Sequence, residues 1–265
     1  MPGWQVALRA CRLLPVLGLG SALACAVMTG ERLGLRVSMR RRQRWTCLFM
    51  KRLMAVLPVQ VQVSGRRPTQ PMLWVSNHVS WIDIPVLGTL APLSFLSKQE
   101  VRHWPLAGWL AHRAGTLFIR RGGHEGSRLR QRITNRLQNG CPVLVFPEGT
   151  TTDGQTLRTF HGRLLGGAIE AGVPVQPVAI AYVRDGQRDT LAPFMGDDDL
   201  LSHVLRMLAH PPARVHVQLL EPLVSLGRER TALAREAQQA IETALRRPIE
   251  DEQAQAAHAS VLTVP

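Results

Sequence analysis

The chain has 265 residues, of which 45% are hydrophobic and 19% charged, a composition typical of a globular protein rather than a disordered one. Its formal net charge of +13 predicts anionic partners, which include a membrane surface, phosphorylated lipids, an acidic carrier protein and nucleic acid. Aromatic residues make up only 5%, and the sequence has neither zinc-finger spacing nor basic-region heptads, so we expect no nucleic-acid partner.

The first segment with a clear prediction is the uncharged stretch over residues 13–30. Its length is close to the minimum for a membrane-spanning helix and exceeds the apolar region of most signal peptides. A cleaved signal peptide, indicated by the small residues at 22–26, and a helix lying in the membrane interface are the alternatives. Arginines are denser after this stretch than before it, which predicts that the following chain lies on the cytoplasmic face of the inner membrane.

The rest of the chain alternates short apolar runs with amphipathic stripes, which predicts an α/β domain. Strands are expected at 59–63, 72–76, 116–119, 142–146, 174–182 and 214–220, and helical stripes at 129–137, 164–169 and 233–245. We therefore divide the chain into a membrane-associating helix with an Arg-rich stretch (1–52), a catalytic domain (53–248) and a polar tail (249–265).

The cysteines and the acidic run at 197–199 are the candidates for metal binding. The four cysteines are scattered without metal-ligand spacing, which favours a reduced protein that faces the cytosol. The acidic run has no histidine or further carboxylate at ligand spacing, so a helix-start turn is the better interpretation. We expect no metal.

The first motif with catalytic side chains is NHVSWID, from Asn77 to Asp83, which follows the predicted strand at 72–76. α/β folds place their sites at such strand ends. His78 and Asp83 would lie about 140° apart on a regular helix, so a contact between them requires the backbone to turn. Asp83 would then fix the imidazole tautomer and His78 would act as a general base, whereas a structural histidine near a helix cap is the alternative.

A second cluster, FPEGT, ends the strand predicted at 142–146, so we expect it at the same edge of the sheet as His78. Glu148 is a candidate for holding a substrate hydroxyl or for ordering the surrounding loops. The alternative is a capping carboxylate at the tight Pro/Gly turn.

Basic residues end two further runs. Arg120 and Arg121 follow the strand predicted at 116–119, and guanidinium groups suit phosphate oxygens. Lys98 is one of only two lysines beside 30 arginines, and its ammonium is a candidate for an acceptor headgroup or a carrier phosphate. Solvated surface residues are the alternative for all three.

Together, these clusters resemble the four sequence blocks of the 1-acylglycerol-3-phosphate O-acyltransferase family, the lysophospholipid acyltransferases with an H(X)4D motif. The resemblance covers about residues 65–182, and the blocks read NHVSWID, GTLFIRRG, FPEGT and VPVQPVAI. It implies a glycerolipid acyltransferase-like fold, with a mixed sheet flanked by helices. It also implies that His78 and Asp83 are catalytic, that Arg121 binds phosphate, and that Glu148, Gly149 and Thr150 bind substrate.

The implied reaction is direct transfer of a fatty acyl group from acyl-CoA or acyl carrier protein to the hydroxyl of a lysolipid, such as 1-acylglycerol-3-phosphate, without a cofactor. The chain has no G-x-S-x-G elbow and no cysteine beside a motif, so a lipase or thioesterase with a nucleophile lacks its key residue. A catalytically idle lipid-binding protein on the same fold is the alternative from another class.

Two positions depart from the family pattern. Thr151 and Thr152 stand where the family commonly has Arg-Ser, and a later basic element reads FHGR from 160 to 163. One phosphate contact is therefore missing unless Arg158 or Arg163 replaces it. The FPEGTTT and FHGRL patterns resemble the branch that includes lyso-ornithine lipid acyltransferases, which makes that aminolipid the alternative acceptor.

Overall fold

The computed structural model describes residues 3–120, 126–196 and 198–246, which form one mixed sheet with helices on both faces. The helices are α1 (Gly3–Arg32), α2 (Met39–Met54), α3 (Asp83–Leu90), α4 (Ala107–Ala114), α5 (Gly126–Gln138), α6 (Gly166–Ala171), α7 (Leu200–Leu208) and α8 (Arg230–Arg246). The strands are β1 (Val59–Gly65), β2 (Leu73–Ser76), β3 (Ser94–Lys98), β4 (Leu117–Ile119), β5 (Val143–Val145), β6 (Val175–Arg184), β7 (Gln187–Arg188) and β8 (Ala213–Leu219).

The strand order is β1-β8-β6-β2-β5-β3-β4, with β7 paired to β6. Strands β2 to β6 run parallel to one another, whereas β8 is antiparallel to β6. The carboxyl ends of five strands therefore lie at one edge of the sheet, which we call the carboxyl edge. The expected α/β architecture with a mixed sheet is confirmed.

The central strands are apolar because both of their faces are covered. On β2, Trp74 packs into one core with residues of α3 and β8, while Leu73 and Val75 pack into a second core with residues of α5 and α8. This alternation, with all four residues of β2 buried, fixes the register of the strand that leads into His78.

The elements that lie outside the predicted strands and helical stripes are α2, α3, α4, α7, β3 and β7. Strand β3 reads SFLSK, in which two serines interrupt the apolar pattern, and it is held by parallel pairing with β5 and β4. Asp199 caps α7, because its side chain accepts a hydrogen bond from the backbone N–H of Ser202 at 2.9 Å. The predicted helix-start turn is thus present at Asp199, while position 197 and the tail at 249–265 lie outside the described residues.

Helix α1 is long and apolar enough to cross a membrane, with a mean hydropathy of 1.8 over its most apolar 18-residue window, of which only 22% is buried. Its buried stripe of Val16, Gly20, Ala24 and Val27 faces the protein. A Cβ at Gly20 would lie 2.7 Å from the ring of Phe49, so a larger residue would require this ring to shift for α1 to approach α2 as closely. Helix α1 thus docks on the protein through one stripe and leaves the remaining apolar surface exposed, as membrane association requires.

Helix α2 continues to Met54, across the domain boundary that we predict at residue 52, and packs against α3. Met50 and Leu53 of α2 contact the same core as Trp74. The Arg-rich stretch is therefore an amphipathic helix bound to the domain. The three-region division itself stays a prediction.

Candidate active site

The turn between β2 and α3 brings His78 and Asp83 together. Chain direction reverses after the buried strand, and Asp83 is the first residue of α3, where an acidic side chain is favoured by the helix dipole. The Nδ1 atom of His78 lies 2.8 Å from Oδ2 of Asp83. The predicted contact between an imidazole and a carboxylate five residues apart is therefore present.

Asp83 is fully buried and accepts hydrogen bonds at both carboxylate oxygens. Besides His78, Oδ2 accepts from the backbone N–H groups of Val79 at 2.7 Å and Ser80 at 2.9 Å. Oδ1 accepts from the hydroxyl of Tyr182 on β6 at 2.5 Å. Four donors satisfy a buried carboxylate that would otherwise be costly to ionise.

The ionised carboxylate determines the tautomer of His78. Because Oδ2 can only accept a hydrogen bond, the proton of a neutral imidazole lies on Nδ1, and Nε2 carries a lone pair. The side chain of His78 is 17% exposed, and in the part of the chain that the structure describes no group bonds to Nε2. His78 is therefore arranged to accept a proton from a molecule at the carboxyl edge of the sheet.

Hydrogen bonds from two side chains, those of Asn77 and Glu148, fix the backbone of the turn between β2 and α3. The side-chain amide of Asn77 forms a pair of hydrogen bonds with the backbone of Ile180 on β6, donating to its carbonyl and accepting from its N–H, each at 2.9 Å. Glu148 accepts from the N–H of His78 at 2.9 Å and from the N–H of Arg158 at 2.8 Å. The motif after β2 is thus tied to both neighbouring strands and to the loop at Arg158.

The loop after β5 also covers one face of the imidazole. The ring of Phe146 stacks on that of His78, with centroids 3.8 Å apart and 9° between the planes. Thr152 donates its backbone N–H to the carbonyl of His78 at 2.8 Å, and the hydroxyl of Thr151 donates to the carbonyl of Phe194. The two threonines that replace the family's Arg-Ser therefore tie loops together.

Burial raises the pKa of Glu148 above its ordinary value, although the N–H groups of Arg158 and His78 partly offset this effect. A raised carboxyl pKa means that the folded state holds the proton more tightly than the unfolded state. The free energy of unfolding contributed by Glu148 therefore falls as the pH rises from the ordinary glutamate pKa through the raised one. Ionised Glu148 therefore lowers the free energy of unfolding. Groups with such raised pKa values are common at functional sites.

We expect Glu148→Gln to remove this pH dependence. The amide NH2 cannot accept from a backbone N–H, so one of the two hydrogen bonds of Glu148 is lost at about 1 to 3 kcal/mol, while the cost of ionisation disappears. Urea unfolding of both proteins in detergent across the acidic range measures the difference. The wild type should exceed Glu148→Gln in free energy of unfolding by an amount that decreases as the pH rises. A difference that stays constant or grows with pH would contradict a raised pKa for Glu148.

The other predicted site residues are distributed unevenly around His78. Gly149 and Thr150 lie in the loop after Glu148, where Gly149 has a positive φ of 69° that favours glycine. Lys98 ends β3 and Arg120 follows β4, both at the carboxyl edge. Arg163 is exposed in a short 3₁₀ helix at Gly162–Leu164. Arg121 lies outside the described residues, and the phosphate role predicted for it stays a prediction.

Tyr182 and the amide of Asn77 also belong to this site, although the sequence did not predict either of them there. Both depend on β6 pairing beside β2, and the hydrogen bond from Tyr182 to Asp83 joins residues 99 positions apart. One signal was available, since Tyr182 is the only tyrosine in the chain and follows the block VPVQPVAI by two residues. A tyrosine buried in a strand needs a partner for its hydroxyl.

An aromatic cluster lies behind the turn. The indole N–H of Trp81 donates to Nδ1 of His203 at 3.0 Å, and the rings of Phe194 and His203 meet edge to face with centroids 5.2 Å apart. Burial lowers the pKa of His203, which keeps its imidazole neutral. Phe194 also donates its N–H to the carbonyl of Val79 at 2.9 Å. The cluster supports the turn from the side of α7.

Comparisons with known proteins place this arrangement in a family context. A family model described as acyltransferase matches residues 58–181, a range that includes His78, Asp83 and Glu148. A lyso-ornithine lipid O-acyltransferase from Pseudomonas aeruginosa is 58% identical over 91% of this chain and 93% of that protein. A 1-acyl-sn-glycerol-3-phosphate acyltransferase from Neisseria gonorrhoeae is 31% identical over 68% of this chain and 71% of that protein.

Among solved structures, the chain is similar to the 1-acyl-sn-glycerophosphate acyltransferase PlsC from Thermotoga maritima. The TM-score is 0.56 at 22% sequence identity, over 90% of this chain and 98% of that chain. At this identity the similarity shows the fold, and it agrees with the mixed sheet described above.

Proposed function

Because the chain belongs to the 1-acylglycerol-3-phosphate O-acyltransferase family of lysophospholipid acyltransferases, we propose that it transfers a fatty acyl group to the free hydroxyl of lyso-ornithine lipid. The observation that carries the reaction is the orientation of His78, with Nδ1 bound to Asp83 and Nε2 open at the carboxyl edge. The acceptor is supported by the 58% identity to the Pseudomonas aeruginosa protein over nearly the whole of both chains.

In the proposed reaction, Nε2 of His78 takes the proton of the acceptor hydroxyl while the oxygen attacks the thioester carbonyl carbon. Asp83 stabilises the imidazolium that forms. The tetrahedral intermediate then collapses, the C–S bond breaks, and the leaving thiolate takes the proton from His78. The products are the acylated lipid and the free thiol of CoA or of acyl carrier protein, and no covalent acyl-enzyme or cofactor takes part.

The tetrahedral intermediate carries a negative oxygen that needs hydrogen-bond donors, and the hydrogen bonds at the His78 turn show which backbone N–H groups are not available for it. The N–H groups of Val79 and Ser80 both point to Asp83, so they are occupied. We infer that the loop after Glu148, which lies next to His78, supplies donors for the tetrahedral oxygen through the N–H groups of Thr150 and Thr151. In the same loop the N–H groups of Gly149 and Thr152 already donate to the carbonyls of Phe146 and His78. Glu148 holds this loop and the His78 turn in register.

1-Acylglycerol-3-phosphate is the second candidate acceptor. It is favoured by the similarity to the Neisseria gonorrhoeae protein and by Arg120 at the carboxyl edge. Arg163 is a second basic residue, two positions after His161, whose N–H donates to the carbonyl of Pro147 after β5. Against this acceptor, Thr151 and Thr152 occupy the places of the family's Arg-Ser and are engaged with backbone carbonyls. The missing guanidinium is the physical reason to prefer an acceptor without that phosphate.

The purified protein, incubated with acyl-CoA or acyl carrier protein, tests the acceptor directly. We expect conversion of lyso-ornithine lipid, measured by radiolabelled acyl transfer, at least about tenfold faster than that of lysophosphatidate, because one missing hydrogen bond to a charged phosphate costs about 1.5 to 3 kcal/mol. A preference for lysophosphatidate would favour the second candidate. Lipid binding without turnover of either acceptor would identify the idle lipid-binding protein instead.

We also propose that the reaction takes place at the cytoplasmic face of the inner membrane. The exposed apolar surface of α1 supports membrane attachment, and the arginines of the following segment support a cytoplasmic position. A polybasic segment contributes about 1 kcal/mol per well-placed arginine at an anionic leaflet.

A further inference from the structure

A basic groove lies at the edge of the sheet opposite to His78. It encloses about 500 Å³ between the start of α2 and one face of α5, beside the amino ends of β4 and β5. Its lining includes three arginines and two asparagines, namely Arg40, Arg132, Arg136, Asn135 and Asn139. Because the parallel strands direct their carboxyl ends away from it, the groove is separate from the candidate active site.

The guanidinium groups of the basic groove bond only to backbone carbonyls among the residues that the structure describes. Arg40 donates to the carbonyl of Asn139 at 3.1 Å, Arg132 to that of Phe118 at 3.3 Å, and Arg136 to that of Gly115 at 3.5 Å. Each group has five N–H donors, so these bonds leave donors for a ligand.

Neighbouring arginines, unlike those of the basic groove, form salt bridges with carboxylates in the described part of the chain. Arg42 pairs with Glu31 at 2.5 Å, and Arg130, on the same helix as Arg132, pairs with Glu170 at 2.5 Å. Salt bridges thus occur on both helices that form the basic groove. Arg40 and Arg132 are exposed and Arg136 is half-buried, so within the ranges described three positive charges meet at the solvent surface without a carboxylate and would attract an anion.

The N-terminus of α2 adds to the positive potential. The helix begins at Met39 after the cap Ser38, carries Arg40, Arg41 and Arg42, and has no acidic residue in its first turn. The dipole and the first-turn N–H groups of a 16-residue helix favour a negative charge at this end, so arginines here oppose the dipole. Burial lowers the pKa of Arg136, and the charge of Arg132 adds to this effect.

We propose that the basic groove binds the phosphate group of an anionic membrane lipid. Guanidinium groups supply paired donors in a plane that matches phosphate oxygens, and the side-chain amides of Asn135 and Asn139 add neutral donors. A lipid is favoured because the end of α1 lies beside the groove. Glu31, in the last turn of α1, is held by Arg42 from α2 and by Arg113 from α4 at 2.9 Å. The apolar helix α1 therefore ends beside the basic groove, at the level where a lipid in the same membrane would present its phosphate headgroup.

The test is a calorimetric titration of the full-length protein in neutral detergent with short-chain phosphatidylglycerol, short-chain phosphatidylcholine and inorganic phosphate. We expect phosphatidylglycerol to bind at least about tenfold more tightly than phosphatidylcholine, a ratio that one or two charge-assisted bonds provide. The double variant Arg40→Gln/Arg132→Gln should lose this preference. It spares the half-buried Arg136, and circular dichroism checks its fold.

The matched control is Arg44→Gln/Arg128→Gln, which removes the same charge from exposed positions of the same two helices outside the groove. It should keep the preference. Equal binding of the two lipids, or an equal loss in the control, would overturn the proposal. So would inorganic phosphate binding as tightly as phosphatidylglycerol. The titration needs no turnover, so its result is independent of the proposed reaction.

Discussion

Replacing His78 with alanine is expected to lower kcat by about 10²- to 10⁴-fold, the contribution usual for a general base. The acceptor hydroxyl would then lose its proton only to solvent, because Asp83 is fully buried and cannot reach the substrate. Single-turnover transfer of a radiolabelled acyl group measures the chemical step. The acceptor KM should change little, since the imidazole acts on the proton in the transition state.

A second histidine serves as the matched control for this variant. His210, at the end of α7, bonds to the carbonyl of Arg206 and lies outside the motif, so His210→Ala should retain wild-type transfer. Loss of the stacking between His78 and Phe146 is expected to cost about 0.5 to 1.5 kcal/mol of stability, which thermal unfolding can separate from catalysis. A wild-type rate in His78→Ala would remove the basis of the proposed mechanism.

Asp83→Asn is expected to lower kcat by about 10²- to 10³-fold while leaving the fold nearly intact. The amide oxygen of asparagine can still accept from Val79, Ser80 and His78, while its NH2 group turns to Tyr182, whose hydroxyl can accept as well as donate. The geometry is kept, but the negative charge is lost. At an effective dielectric constant near 20, that charge stabilises an adjacent imidazolium by about 4 kcal/mol.

Two measurements distinguish this loss of charge from a loss of structure. The free energy of unfolding should fall by no more than about 1 to 3 kcal/mol, because the Tyr182 hydroxyl then accepts from the NH2 group and only its own O–H loses an acceptor. The acid limb of the pH dependence of kcat should move to lower pH, since the imidazolium is less stable without the carboxylate. If kcat falls only in proportion to the unfolded fraction, the pair is structural.

Tyr182→Phe tests the third member of this arrangement as a positioning residue. Burial, together with the neighbouring charge of Asp83, raises the pKa of Tyr182 well above its usual value, so the hydroxyl stays protonated and donates. Without the Tyr182 hydroxyl, the charge of Asp83 is less neutralised and stabilises the imidazolium of His78 more strongly. The acid limb of the pH dependence of kcat should therefore move to higher pH. In the double variant with Asp83→Asn only the buried NH2 lacks a partner, whereas each single variant leaves an unpaired group of its own. The loss of stability should therefore be smaller than the sum of the two single losses.

The amino-acid sequence by itself determined the α/β class and the contact between His78 and Asp83. Both follow from local pattern, since apolar runs specify buried strands and a polar motif at a strand end specifies a turn. The placement of Glu148 beside His78 also followed, because the carboxyl ends of parallel strands share an edge. Strand β3 was not predicted because its serines interrupt the apolar run. It forms nevertheless, because its backbone pairs with the neighbouring strands β4 and β5.

Only the tertiary structure decided which distant residues complete the site. Asn77 meets Ile180 across 103 positions and Tyr182 meets Asp83 across 99, because β6 lies beside β2 in the sheet. The basic groove likewise unites arginines from α2 and α5. Local sequence patterns reflect the burial of each segment's own faces, but strand order and helix docking depend on packing between segments, so neither the partner of Tyr182 nor the groove could be predicted from residue spacing.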